Sequence, residues 1–316
     1  NGNYNNARID STRTINFINR PPPRIVLNGE TLVFQESSLP NGSPTFMEQS
    51  PRGFPEWFAV VDQRSFQQIR NYATERAEGR VGAGATVFIR IPGNTSTLIP
   101  FNNIVTTLMT NMNSLFSGIT NFNENIASWD TGRVTSMNSM FSNCTNFNQR
   151  LERWNTAQVI DMSFMFQDAT IFSQNLGFWN TLQVRSMSGM FRGATRFNNG
   201  GFGGIGNWDT RAVTDMNFMF LDATSFNSPI SWNTSAVTSM AVMFMRATSF
   251  NQSLNLDTQS VTNMNAMFSC SVFNGDISKW NVSNVQSMEG MFLIFRCQVF
   301  GTCTRNKLWP RSLFFK

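Results

Sequence analysis

Met137-Asn138-Ser139-Met140-Phe141 is one copy of a phrase, Met-x-x-Met-Phe, that occurs eight times in the chain. The other copies begin at Met112 (with Leu115 in the second methionine slot), Met162, Met187, Met216, Met240, Met264 and Met288. The steps between first methionines are 25, 25, 25, 29, 24, 24 and 24 residues. Self-similarity at such a period is the signature of a stacked repeat architecture. One unit cannot bury its own apolar face, so its neighbours must.

The phrase belongs to a longer unit. A tryptophan precedes most copies: Trp129, Trp154, Trp179, Trp208, Trp232 and Trp280, with Leu256 standing in once. Asp or Asn follows it, then usually Thr, as in Asp130-Thr131 and Asn155-Thr156. Five residues past the tryptophan slot comes Val134, Val159, Val184, Val213, Val237, Val261 or Val285. A small residue (Cys144, Ala169, Ala194, Ala223, Ala247) lies three residues after the Phe of the phrase in most copies. A second Phe, usually followed by Asn, comes next. Val-Thr-x-Met alternates over four residues and predicts a short strand. Met-x-x-Met-Phe-x-x-Ala has helical spacing and predicts one or two turns of helix. The Asn after the second Phe and the Asp/Asn-Thr pair are expected at turns, the former stacking as a ladder. The methionines are expected as core filler.

The pattern W-[DN]-T-x-x-V-T-x-M-x-x-M-F-x-x-A-x-x-F-N-Q-x-[IL]-x-x-W, carried over about residues 104–292, resembles the BspA-like repeat. That family comprises leucine-rich-repeat-like surface proteins, abundant among mycoplasma lipoproteins and found in protists and large DNA viruses. The resemblance implies a surface-displayed binding and scaffolding module without known enzymatic activity, and it names no ligand. The expected fold is an α/β solenoid, leucine-rich-repeat-like, of about eight coils of short strand plus short helix, with a small N-terminal α+β domain.

The expected division is an extended polar arm over 1–23, a small α+β capping domain over 24–100, the repeat solenoid over 101–292, and a C-terminal cap with a basic-aromatic tail over 293–316. Arg24 to Phe34 reads as a hairpin around Asn28-Gly29. Ser37 to Pro55 reads as a loop, and Trp57 to Val61 as a strand. Ser65-Phe-Gln-Gln68 resembles a capping box opening a helix to about Ala77, stopped at Gly79. Val81 to Ile91 reads as a strand. No basic-plus-apolar leader opens the chain at Asn1, so the expectation is that either a leader was removed or the numbering begins after missing residues. No apolar run is long enough to span a membrane as a helix.

The net charge of +5 is uneven. Residues 1–103 carry +2, residues 104–292 carry −2, and residues 293–316 carry +5. A nearly neutral repeat region argues against a nucleic-acid groove along it. The chain has no histidine, which removes His-based acid/base chemistry, Ser-His and Cys-His pairs and most zinc sites. No phosphate loop, dinucleotide fingerprint or Cys-x-x-Cys is present. Asp161, Asp215, Asp222 and Asp276 read as surface or turn residues rather than as a catalytic carboxylate pair. No catalytic, cofactor or metal residues are assigned. Cys144 and Cys270 read as free buried thiols, while Cys297 and Cys303 could close a disulfide in an oxidising compartment. Asn-x-Ser/Thr sequons at Asn41, Asn94, Asn143, Asn233, Asn251 and Asn281 are weak signals in a chain this rich in Asn, Ser and Thr.

Two functions remain open from the sequence. In the first, the chain is a non-enzymatic surface-displayed adhesion scaffold at the cell surface. Its candidate face is the outward strand column Thr135, Ile160, Arg185, Thr214, Thr238, Thr262 and Gln286, which suits contact with host protein or glycan. Phe202, in the insertion that lengthens one repeat, is a candidate loop contact. In the second, the chain is a structural subunit of a large assembly, such as a minor capsid protein in a virion. It would dock to neighbouring subunits through its termini, with Arg305, Lys307, Trp309, Arg311, Phe314 and Phe315 as the candidate tail.

Overall fold

The computed structural model describes residues 24–39, 43–80, 88, 98–199 and 204–293, together with the backbone of 295–297 and 303–305. The expected arm over 1–23, the expected strand over 81–91 apart from Phe88, the insertion residue Phe202 and the tail beyond Arg305 lie outside the described residues.

Strands β1 (Ile25–Asn28) and β2 (Thr31–Phe34) pair antiparallel with Asn28 opposite Thr31. The turn is therefore Gly29-Glu30, one residue later than expected. Gly29 takes φ +63°, the positive value that a tight hairpin asks of its first turn residue. Strand β3 (Thr45–Gln49) runs antiparallel to β4 (Glu56–Asp62), and β4 runs parallel to β5 (Ile104–Leu108), in the order β3-β4-β5. The expectation of a loop over Ser37–Pro55 fails at β3. Pro44 and Pro51 flank only two large apolar residues there, Phe46 and Met47, and an edge strand tolerates such neighbours.

Helix α1 (Phe66–Ala77) is present, but the expected capping box is not. Ser65 makes no side-chain cap bond; its hydroxyl meets that of Ser43 instead. The chain enters α1 through a 3-10 turn over Gln63–Ser65, whose first N–H groups are served by Asp62 accepting from Arg64 N at 3.0 Å. Gly79, at φ +66°, ends the helix, and Arg80 N donates back to Glu75 O at 3.0 Å.

The repeats stack in register, each on the next. Parallel bridges link Asn111, Ser136, Asp161, Ser186, Asp215, Ser239, Asn263 and Ser287 in one series. The expected four-residue strand is thus a single bridging residue per repeat. The expected helix is also absent. Met137 to Phe147 makes consecutive tight turns, with Met140 N donating to Met137 O, Ser142 N to Ser139 O, Cys144 N to Phe141 O and Phe147 N to Cys144 O. Ser139 and Asn143 have φ of +54° and +59°, which no α-helix contains. The same two positions are left-handed in repeat after repeat: Phe164 and Asp168, Gly189 and Gly193, Phe218 and Asp222, Val242 and Arg246. A positive φ at the third residue of a turn is the type II pattern. It turns the backbone so that alternate N–H groups point along the stack. Ser139 N then reaches Ser163 O at 2.9 Å, and Phe141 N reaches Met165 O at 2.9 Å. Hydrogen bonds between repeats replace the intrahelical ones.

Side chains of equal position form columns. Phe141 and Phe166 stack at 5.5 Å between ring centroids, and Phe166 and Phe191 at 5.7 Å. Within one repeat the two Phe rings lie closer still, 3.8 Å apart for Phe191 and Phe197. Trp129, Trp154, Trp179, Trp208 and Trp232 are buried, and each indole N–H donates to a carbonyl of the preceding layer, as Trp179 Nε1 does to Leu151 O at 2.9 Å. The first and second methionines are buried from Met112 to Met267. One hydrophobic core runs from Ile69 and Tyr72 of α1 through the repeats to Met291. A smaller cluster under the hairpin joins Leu32, Phe34, Phe58 and Val105. Each buried Phe contributes roughly 1.5–3 kcal/mol relative to exposure.

Strands β6 (Phe295–Cys297) and β7 (Cys303–Arg305) pair antiparallel, with Cys297 opposite Cys303 and Phe295 opposite Arg305. An opposed antiparallel pair has a backbone separation that a disulfide can span.

Candidate binding face

The seven candidate residues are brought together by one continuous line of backbone hydrogen bonds. Ile160 N donates to Thr135 O at 2.8 Å, Arg185 N to Ile160 O at 2.8 Å, and Thr214 N to Arg185 O at 2.9 Å. Thr238 N then donates to Thr214 O at 3.0 Å, Thr262 N to Thr238 O at 2.9 Å, and Gln286 N to Thr262 O at 2.8 Å. All seven are exposed except Thr262, which is half-buried. The threonine hydroxyls turn back onto the ladder: Thr214 Oγ1 donates to Arg185 O at 3.2 Å and Thr238 Oγ1 to Thr214 O at 3.2 Å. Each such side chain is held in one orientation, and the row offers methyl groups and hydroxyl lone pairs at fixed spacing.

Reading single residues per repeat missed the neighbouring polar column. The bridging residues Ser136, Asp161, Ser186, Asp215, Ser239, Asn263 and Ser287 lie beside the row and are half-buried. Asn217 Oδ1 accepts from Ser239 Oγ and from Ala241 N at 2.8 Å; Asn265 Oδ1 accepts from Ser287 Oγ and from Glu289 N at 2.8 Å. The signal was in the sequence: Ser, Asp or Asn stands immediately before each first methionine. A hydrogen-bonded network of this kind fixes the surface before any ligand arrives.

The other polar repeats serve the turns. Asp130 Oδ1 accepts from Gly132 N at 2.9 Å, Asn155 Oδ1 from Ala157 N at 3.1 Å, and Asp257 Oδ1 from Gln259 N at 3.0 Å. The buried Thr beside each reaches the next layer, as Thr131 Oγ1 does to Asn155 O at 2.9 Å. The Asn ladder forms as expected: Asn123 Oδ1 accepts from Asn148 N at 3.0 Å, and Asn227 Oδ1 from Asn251 N at 3.0 Å.

Asp161, Asp215, Asp222 and Asp276 all serve local structure. Asp161 Oδ1 accepts from Ser163 N and Asp215 Oδ1 from Asn217 N. Asp222 pairs with Arg246 across one layer. Ser278 N–H holds the exposed Asp276 carboxyl below the usual carboxylate range. Among the described residues no group of three or more metal-ligating side chains comes together. Cys144 is buried with its Sγ donating to Phe116 O at 3.0 Å, and burial pushes its thiol up to about 12. Cys270 is half-buried rather than buried. It occupies the left-handed turn position at φ +55°, and Ser271 takes the small-residue place, donating its N–H to Phe268 O. Phe202 and the tail side chains from Arg305 to Phe315 lie outside the described residues, as do the side chains of Cys297 and Cys303. No helix among the described residues is long and apolar enough to cross a membrane.

No curated protein and no solved structure matches the chain. A repeat family matches it twice, over residues 93–202 and 199–299, and these two stretches together take in every copy of Met-x-x-Met-Phe. With most of its length covered in this way, the chain belongs to the family described as Mycoplasma protein of unknown function, DUF285.

Proposed function

We propose that the repeat stack is a solenoid of the BspA-like kind and that the protein is a non-enzymatic, surface-displayed binding scaffold for protein or glycan. The observation that carries this reading is the hydrogen-bonded row from Thr135 to Gln286, flanked by the half-buried Ser/Asp/Asn column. Six of its seven side chains are uncharged, Arg185 being the exception. A row of methyls, hydroxyls and amides on a preorganised backbone suits a ligand that is itself polar and weakly charged, because little side-chain entropy is lost on contact. Neutral character along the repeats weighs against a polyanion as partner.

The test is binding of the full chain to arrays of defined glycans and of extracellular proteins, repeated with Thr214→Trp and Thr238→Trp together. The reading expects array signals that the double variant loses while its thermal unfolding is unchanged. Signals that survive the double substitution would move the ligand off this face.

A further inference from the structure

The two ends of the stack are finished differently. At the first end Tyr72 of α1 stacks on Phe101 at 4.9 Å, and Phe101 meets Phe122 at 5.4 Å and Trp129 at 6.4 Å. The columns there are buried from the first layer, Phe116, Phe122 and Trp129 included. At the other end burial fails. Ile277, Trp280, Val285 and Met288 are half-buried, although Ile126, Trp129, Val134 and Met137 at the same positions are buried. Phe273, Ile277, Trp280, Val282, Met288 and Met291 line a pocket of about 220 Å³ at this end. Among its described lining residues the exposed Asp276 is the only charged one.

We propose that Leu308–Phe315 of the same chain covers this end, with the Trp309 side chain seated in the pocket beside Trp280. Three observations single out this occupant. The first is composition: residues 293–316 carry five basic and no acidic groups and include Trp309, Leu313, Phe314 and Phe315, which match an apolar pocket with the carboxylate of Asp276 on its wall. The second is topology. Antiparallel pairing sets Arg305 opposite Phe295, so the chain returns to within one strand spacing of where it left the last repeat. The third is reach. Four Cα steps lead from Arg305 to Trp309, a span of at most about 14 Å, and Arg305 pairs with Phe295, three residues past Phe292 of the pocket wall, so the segment meets the pocket at high effective concentration. The proposal is independent of the binding-face reading, since the row from Thr135 to Gln286 lies along the side of the stack.

The test uses the full chain with a photo-crosslinking benzoylphenylalanine at Ser278, an exposed residue on the pocket wall. The expected product is an intramolecular link to residues 306–316. Full-length Trp309→Ala should then lose that link and show faster hydrogen exchange over 273–292 by an order of magnitude or so. Exchange over 112–250 should be unchanged as the control for folding, and Trp309→Phe should restore much of the protection. A link between two chains would assign the pocket to a second copy and overturn the proposal. So would absence of any link in the otherwise native chain.

Discussion

The Arg70 guanidinium donates to the Ser117 carbonyl at 2.6 Å and to the Leu115 carbonyl at 3.2 Å. In the next repeat the equivalent carbonyls, Met140 O and Ser142 O, accept from Phe116 N and Gly118 N of the layer before. The first layer has no repeat before it, and Arg70 of α1 supplies the donors that one would have given. Gln63 does the same for Asn111, donating from Nε2 at 3.0 Å. Charged hydrogen bonds are worth about 1.5–3 kcal/mol, neutral ones about 1 kcal/mol. Arg70→Met should therefore destabilise the protein by about 1.5–3 kcal/mol and Gln63→Ala by about 1 kcal/mol. Equilibrium urea unfolding checks both, and equal small effects would show that the first layer is served by water.

Gly189 and Val242 occupy the same left-handed turn position in different repeats, at φ +58° and +62°. A Cβ on Gly189 would fall 2.4 Å from the Phe164 ring, so Gly189→Ala meets both a backbone and a contact penalty. Val242 already bears the backbone penalty, about 1–2 kcal/mol for a residue with a Cβ. Val242→Gly should raise stability by about 1 kcal/mol once the entropy cost of glycine is set against the gain. Gly189→Ala should lower it by more than that. Thermal melts of the two variants should move in opposite directions.

Phe191 touches rings in three layers: Phe166 at 5.7 Å, Phe220 at 5.7 Å and Phe197 of its own layer at 3.8 Å. Phe191→Ala should cost about 3–5 kcal/mol. Because each repeat is held mainly by its neighbours, hydrogen exchange should rise most in the layers containing Phe166 and Phe220. A uniform rise across all layers would show that the stack unfolds only as a whole.

The Cys144 thiol, pushed up to about 12 by burial, stays protonated in the folded chain through pH values at which an unfolded cysteine ionises, above about 8.5. The unfolded state then binds fewer protons, so this group removes stability as pH rises beyond that point. Cys144→Ala should flatten the loss of stability between about pH 8.5 and 11. The native thiol should also resist iodoacetamide at pH 8 until the protein is unfolded.

The columns were legible because each apolar position recurs once per unit, and nothing but stacking would use Val134, Met137, Phe141 and Trp154 at that period. The local backbone was not. Met-x-x-Met-Phe-x-x-Ala has the offsets of a helix face, but two consecutive type II turns also return every third residue to the same side. The discriminating signal was present at Gly118, Asn143, Asp168, Gly193 and Asp222, residue types that accept a left-handed φ. Phe164, Phe218 and Val242 in the companion column masked it, since neighbouring layers force those residues into a conformation their side chains disfavour. On the candidate face, the row of outward residues followed from the alternation around each Val. The hydroxyl-to-carbonyl bonds that fix Thr214 and Thr238 follow from stacking geometry and have no local sequence signal.

Each repeat advances the face from Thr135 to Gln286 by one ladder step, and a distance measured across that row tests this stacking most directly. Spin labels at Thr135→Cys and Gln286→Cys, with Cys270, Cys297 and Cys303 replaced by Ser and the buried Cys144 retained, span six steps of the ladder. At a strand spacing of about 4.8 Å per step, double electron–electron resonance should give a single peak near 29 Å, broadened by the label arms. Repeats packed as successive helical layers about 10 Å apart would give a peak near 60 Å and would contradict the stack.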